Sequence, residues 1–355
     1  MAKKAAVKKP PSPEPESDEP PKSTKPSNAI DLDTLFERAI TFQEAGNTQN
    51  EDKVYLQILK INPNHVGALF NHGLILANDN KVAEALVFLD RALVQDPKHV
   101  EILLNKGIIL GMQDKFEEEL AVYEQILKIN PNYTIALFNI GAVLRQLGRS
   151  EEALKQYNEL TKREPGLGDP HYFKGLTLGQ LGRYEEAIEA FKLTLAIDRK
   201  NALAWQELGV ALDALERYEE AIEAYDHALE IDAENTDALF SKAVALEKLA
   251  RMDDALEIYS KILELDPEDY QSWNNKGLTL LEKGNLPEAL KCFEEALKFD
   301  AESGTQQYNI ACVKARMETL DEAIEWLKKS LTLNPENKDL ALKDEDLKAI
   351  WSKIP

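Results

Sequence analysis

Residues 201–235 read NALAWQELGVALDALERYEEAIEAYDHALEIDAEN. Ala204, Leu208, Ala211 and Leu212 fall on one face of a helix, and Tyr218, Ala221, Ile222, Tyr225, Ala228 and Leu229 on one face of a second. Both sets follow the three-to-four-residue recurrence of an amphipathic helix with one buried side. Two such helices joined by a turn make a hairpin that cannot bury both apolar faces alone. Repetition supplies the missing cover.

Gly209 recurs at 34-residue steps as Gly175, Gly141, Gly107 and Gly73, and again at Gly277. Ala221 recurs as Ala153, Ala187, Ala255, Ala289 and Ala323. Tyr157, Phe191, Tyr259 and Phe293 stand in register with Tyr225, and Pro63, Pro97, Pro131, Pro165, Pro267 and Pro335 keep one frame. Counting from Leu32 gives nine uninterrupted repeats over 32–337. Small residues at the eighth and twentieth places suit the closest approach of the two helices, and the aromatic fills the gap beside it. Asx-Pro pairs such as Asn62-Pro63, Asp96-Pro97 and Asp266-Pro267 end the second helix. The turn inside each hairpin carries Gly46, Gly148, Gly182 and Gly284, with Asn80 and Asp114 in their place twice. All three residue types accept a left-handed backbone. Ala39, Ala243 and Ala311 replace the eighth-place glycine, and Glu51 and Glu119 replace the alanine. A glutamate there must reach water or loosen the packing. For Glu51 the terminal position is a sufficient reason; the sequence offers none for Glu119.

On these residues the chain is similar to the tetratricopeptide repeat family, over 32–337. Trp205, Leu208, Gly209, Ala221, Tyr225 and Ala228 match the family signature, and Trp273, Gly277, Ala289, Phe293 and Ala296 match it again. The resemblance implies an all-α fold, a right-handed α-solenoid or superhelix of helix-turn-helix repeats, with first helices lining the concave side. It also implies protein binding: a scaffold or adaptor without enzymatic activity, taking a peptide or helical segment in the groove. The alternatives are a regulatory or substrate-recruiting subunit of an enzyme complex and a co-chaperone. A carboxylate clamp would need a basic fifth place with asparagine at the ninth, and no repeat has that set.

Before the repeats, residues 1–31 are rich in Pro, Lys and Glu and are expected to be a disordered tail. The absence of an apolar leader or a membrane-length apolar run points to a cytoplasmic protein, with no membrane partner. Six lysines against five acids leave the tail near neutral, while the whole chain carries −21. That balance argues against nucleic acid, which demands clustered Lys and Arg. It is open to two readings, plain solubility or attraction for basic partners. No phosphate loop, dinucleotide fingerprint, metalloprotease or nucleophile-elbow motif occurs, and no cofactor or metal is implied. The acidic runs Glu117–Glu119 and Glu185–Glu186 sit where second helices begin and complement the helix dipole. Cys292 and Cys312 read as buried small residues, and the five histidines as structural or surface groups. Residues 338–355 are expected to form a capping helix with Leu340, Leu347, Ile350 and Trp351 on one stripe; a partner-binding helix anchored by Trp351 is the other reading.

By analogy with the family, the inward places of each first helix are the second, fifth, sixth, ninth, twelfth and thirteenth. Phe70, Leu74, Ile108 and Phe138 there make an apolar ridge, which either binds a partner or is covered by neighbouring helices. Asn71, Asn105 and Asn139 stand beside it in the sixth place, able to pair with an extended peptide or within the repeat itself. Further on, Glu207, Asp213, Asp237 and Glu247 turn this side acidic, relieved mainly by Lys248. The candidate binding residues are therefore Phe70, Asn71, Leu74, Asn105, Ile108, Phe138, Asn139, Asp213 and Asp237, for a partner with basic and apolar residues.

Overall fold

The computed structural model describes residues 31–353, so the expected tail lies outside the described residues except for Asp31. The described residues are helical throughout, with short turns and no strand. They fall into two compact units, one ending at Pro165 and the other beginning at Gly166. In the first unit α1 (Leu32–Glu44) pairs with α2 (Thr48–Ile61), and α3 (Val66–Asn78) with α4 (Val82–Gln95). In the same way α5 (Val100–Gly111) pairs with α6 (Phe116–Ile129), and α7 (Thr134–Gln146) with α8 (Ser150–Arg163). The second unit holds the pairs α9 (Gly168–Gln180) with α10 (Tyr184–Ile197), α11 (Ala202–Asp213) with α12 (Tyr218–Ile231), and α13 (Thr236–Lys248) with α14 (Met252–Leu265). It continues with α15 (Tyr270–Glu282) on α16 (Leu286–Phe299), α17 (Gly304–Arg316) on α18 (Leu320–Leu333), and the short α19 (Asn337–Ala341). Glu345–Lys353 then forms a 3-10 helix, so this last stretch is broken at Leu342–Asp344 and is not one continuous helix.

Each joint has a local cause. The Asx residue after a second helix turns extended and accepts from the amide two residues on, as Asn62 does from Asn64 at 3.1 Å and Asp266 from Glu268 at 3.0 Å. The next first helix is capped by the last residue of the preceding repeat. Asn201 and Asn235 accept the amides of Ala204 and Ala238 at 3.0 Å each. His65 and His99 do the same through Nδ1, at 3.1 and 3.4 Å, which gives two of the five histidines their role. Many second helices open on an ion pair across their first turn, such as Arg183 with Glu186 at 2.6 Å and Arg217 with Glu220 at 2.6 Å.

The fifteenth place of every repeat has positive φ. Gly46, Asn80, Asp114, Gly148, Gly182 and Gly284 were legible there; Glu216, Ala250 and Glu318 occupy the same conformation without a favourable side chain. An L-residue costs roughly 1–2 kcal/mol in that region. Ala250→Gly is therefore expected to stabilise the second unit by about 0.5–1 kcal/mol, after the larger entropy of an unfolded glycine is subtracted. A raised thermal midpoint by circular dichroism checks this; an unchanged or lowered one contradicts it.

The core runs between the two helices of each hairpin. The eighth-place glycine lies under the ring of the twenty-fourth-place aromatic. A Cβ added at Gly107 would come within 2.3 Å of Tyr123, and one at Gly209 within 2.5 Å of Tyr225. Tyr55, Tyr123, Tyr157, Phe191, Tyr225, Tyr259 and Phe293 are all fully enclosed. At these glycines an added Cβ would run into the ring, whereas the repeats of Tyr55 and Tyr259 accommodate the Cβ of Ala39 and Ala243. Glu119 is enclosed as well, its carboxylate standing over the open Cα of Gly111, where a Cβ would meet Oε2 at 2.6 Å. Glycine at the twelfth place leaves the room that glutamate at the twentieth fills. Glu51 does not reach water either; it is 5% exposed. No helix among the described residues is long and apolar enough to cross a membrane.

Candidate functional site

The sixth-place residues answer to the aromatic core. Burial raises the pKa of the Tyr55 hydroxyl, the Glu51 charge adds to it, and the Asn71 amide opposes both. The same partnership joins Tyr123 to Asn139, Tyr225 to Ser241 and Tyr259 to Asn275. In each pair a twenty-fourth-place tyrosine meets the sixth-place side chain of the following repeat. The Tyr55 and Tyr259 hydroxyls make no hydrogen bond of ordinary geometry, so those two contacts are longer-range. Where the twenty-fourth place carries no hydroxyl, the asparagine turns elsewhere. Opposite Leu89, Asn105 donates to the carbonyl of Glu101 at 2.9 Å; opposite Phe293, Asn309 donates to Asn274 at 2.9 Å.

In the first unit the apolar ridge is partly closed. Phe70 and Leu74 are buried in one cluster with Ala85 and Leu89 of α4 and Ile102 and Ile109 of α5, because both helices pack on α3. Asn71 and Asn105 are buried beside them. Ile108, Phe138 and Asn139 remain half-buried. These three are the sequence-derived residues of this unit whose surfaces a ligand reaches without unpacking a helix.

In the second unit Asp237 is exposed and Asp213 half-buried. Burial raises the pKa of Asp213 while Lys248 lowers it, and Asp213 Oδ1 is enclosed without a hydrogen bond. The two aspartates do not share a site. Asp237 instead lines a cleft of about 480 Å³ with Asp266, Asp269, Phe240, Ser241 and Gln271 among its walls. Neither Lys nor Arg lines it. Asp266 and Asp269 each hold one backbone amide, at 3.0 and 3.2 Å, which fixes their carboxylates. The Phe240 ring is braced edge-on by Tyr259 at 6.0 Å. In the sequence Asp266 reads only as the residue that ends a second helix, and Asp269 does not stand out; the signal is two acids just upstream of a first helix whose preceding first helix also begins with an acid. A second cleft of about 610 Å³, between α12, α13 and α14, contains both signs of charge, and Lys242 and Arg251 are paired there with Asp226 and Asp254.

Towards the end of the second unit, the fifth, ninth and twelfth places of α17 are covered. Tyr308, Cys312 and Ala315 pack with Leu347 and Ile350 in one cluster. Cys292 and Cys312 are both buried free thiols.

Curated proteins give no match. Among solved structures, the C-terminal part of a TPR repeat-containing protein from Cytophaga hutchinsonii is 16% identical, with a TM-score of 0.58 over 68% of this chain and 99% of that one. A tetratricopeptide repeat protein from Parabacteroides merdae is 16% identical, with a TM-score of 0.53 over 70% and 98%. YrrB, described as a TPR protein with an unusual peptide-binding site, is 24% identical, with a TM-score of 0.46 over 56% and 97%. The first two share the fold of stacked helical hairpins. The model for the tetratricopeptide repeat protein 21 C-terminal ARM domain matches residues 83–272, more than half of the chain. Two tetratricopeptide repeat models match residues 270–303 and 307–337. With its helical hairpins, its glycine–aromatic stack and these matches, the chain belongs to the tetratricopeptide repeat family, whose repeats serve as protein-interaction scaffolds.

Proposed function

We propose that this scaffold takes a peptide or helical segment with basic and apolar residues on the exposed face of its first helices. The observation that carries the reading is the cleft beside Asp237. Three carboxylates over an aromatic floor suit a lysine or arginine whose aliphatic stem lies on Phe240 and whose charge meets Asp237, Asp266 and Asp269. Ile108, Phe138 and Asn139 in the first unit offer a separate apolar contact with one amide for hydrogen bonding. Phe70 and Leu74 are buried in the core of this unit, so replacing them tests stability more than binding.

Charge at the cleft governs encounter, and apolar contact governs residence. The probe is a fluorescent peptide alternating arginine with leucine, measured by stopped flow against the full chain. Asp237→Asn with Asp269→Asn is expected to slow association about tenfold at low salt and to change little at high salt, where exposed charges are screened. Phe138→Ala is expected to speed dissociation and leave association unchanged. Affinity that ignores all three changes would move the binding face elsewhere. Use of the chain as a recruiting subunit of an enzyme complex would employ the same face and differ only in the partner.

A further inference from the structure

Against the preceding repeat, first helices inside the second unit pack mainly on its second helix and little on its first, as α13 does on α12 rather than α11 and α17 on α16 rather than α15. The terminal 3-10 helix reverses that preference and packs chiefly on α17, less on α18. It therefore does not stand where a tenth first helix would. It lies along the inward places of α17, those that α7 leaves half-exposed at Phe138 and Asn139.

The contact is specific. Asp344 Oδ2 accepts from Tyr308 Oη at 2.6 Å and from Cys312 Sγ at 3.6 Å. Asp344 Oδ1 accepts from the Asp346 amide at 3.0 Å, and its carbonyl accepts from Trp351 Nε1 at 3.1 Å, which closes the segment on itself. Arg316, in the last turn of α17, lies 3.7 Å from Asp346 and donates to the Leu281 carbonyl at 2.9 Å. Leu347 and Ile350 are wholly enclosed and Trp351 half-enclosed. An acidic residue with apolar residues three, six and seven positions on is thus read by the face of α17, completed by Ala323 and Leu327 of α18.

The segment is also weakly built. Nine residues of 3-10 helix exceed the length that this geometry ordinarily sustains. It packs on the hairpin of α17 and α18 and is joined to it through a break at Leu342–Asp344 after a five-residue helix.

We propose that the α17 face of Tyr308, Cys312, Ala315 and Arg316 is a peptide-docking surface that the chain's own Asp344–Trp351 segment occupies as an exchangeable latch. The outside partner that fits it is a short acidic-then-apolar peptide of the latch's own pattern. This chemistry is opposite in charge to that of the Asp237 cleft, and the two readings stand or fall separately.

The chain's two cysteines provide the test. Cys312 lies under the latch, and Cys292, in the interior of the α15–α16 hairpin, does not. Under native conditions an uncharged maleimide is expected to label Cys312 at least ten times faster than Cys292 in the full chain. Asp344→Ala should speed Cys312 alone by a further several-fold, with helical circular dichroism unchanged. In full-length Leu347→Ala, adding a free peptide of residues 342–353 should restore the protection of Cys312, and a scrambled peptide should not. Equal labelling of both cysteines, or a parallel rise of both in Asp344→Ala, would mean that the segment leaves only when the array unfolds, and would overturn the proposal. Failure of the peptide to protect Cys312 at millimolar concentration would overturn it too. Protection that rises with protein concentration alongside a dimer in sedimentation would assign the face to a second copy and exclude a separate peptide.

Discussion

Replacing Gly175 by leucine is expected to destabilise the second unit by about 3 kcal/mol, the upper part of the range for overpacking a well-filled interior. Even a single added Cβ would stand 2.5 Å from Cε1 of Phe191, and the ring is enclosed on its other sides. Leucine at Asn201, in the turn between repeats, removes only the cap on Ala204 and should cost about 1 kcal/mol. Urea midpoints followed by circular dichroism order the two variants. A control separates ring contact from helix propensity: Phe191→Ala alone should destabilise, yet in the Gly175→Leu chain it should recover part of the loss. Equal midpoints for the two leucine variants, or additive losses in the double variant, would show that the glycine does not serve the ring.

The second large effect is tied to pH. Burial pushes the Glu119 carboxyl from 4.5 up to about 7, with a Tyr123 hydrogen bond opposing the shift. A raised carboxyl pKa means that the folded state holds a proton the unfolded state releases. Stability from this group is therefore full at acid pH and falls as pH rises from 4.5 through about 7. The shift corresponds to about 3 kcal/mol at most, of which screening and relaxation remove a share. Glu119→Gln keeps the shape and removes the titration. It is expected to match the native chain near pH 5 and to be more stable by about 2 kcal/mol at pH 8. Guanidinium melts of both chains at the two values decide it; an equal difference at pH 5 and pH 8 would show that the buried carboxyl does not titrate.

Much of the fold was legible because apolar spacing and turn chemistry repeat with one period. Gly46, Asn80 and Asp114 announced a left-handed turn by their type; Glu216, Ala250 and Glu318 could be found only by trusting the register over the residue. The candidate site was less legible for the same reason. Inward places carried over from a family mark direction and say nothing of enclosure, so Phe70 and Leu74 looked like ridge and are core. Asn71 and Asn139 looked like a row because they share a place, whereas each is matched to a tyrosine sixteen residues before it. Sequence displays the period of a repeat array more readily than the pairing between one copy and the next.

That pairing limits how the array can change in copy number. Loss of residues 236–269 would bring Asn275 beside Tyr225, and the amide would take over from Ser241. A duplication of residues 202–235 would instead set a second Glu207 beside Tyr225, a carboxylate in the place of the Ser241 hydroxyl. The 34-residue blocks are thus alike in backbone and unlike in their edges. A duplication or deletion is silent only where the new edge repeats a pairing that the array already holds, so the order of the copies is itself inherited information.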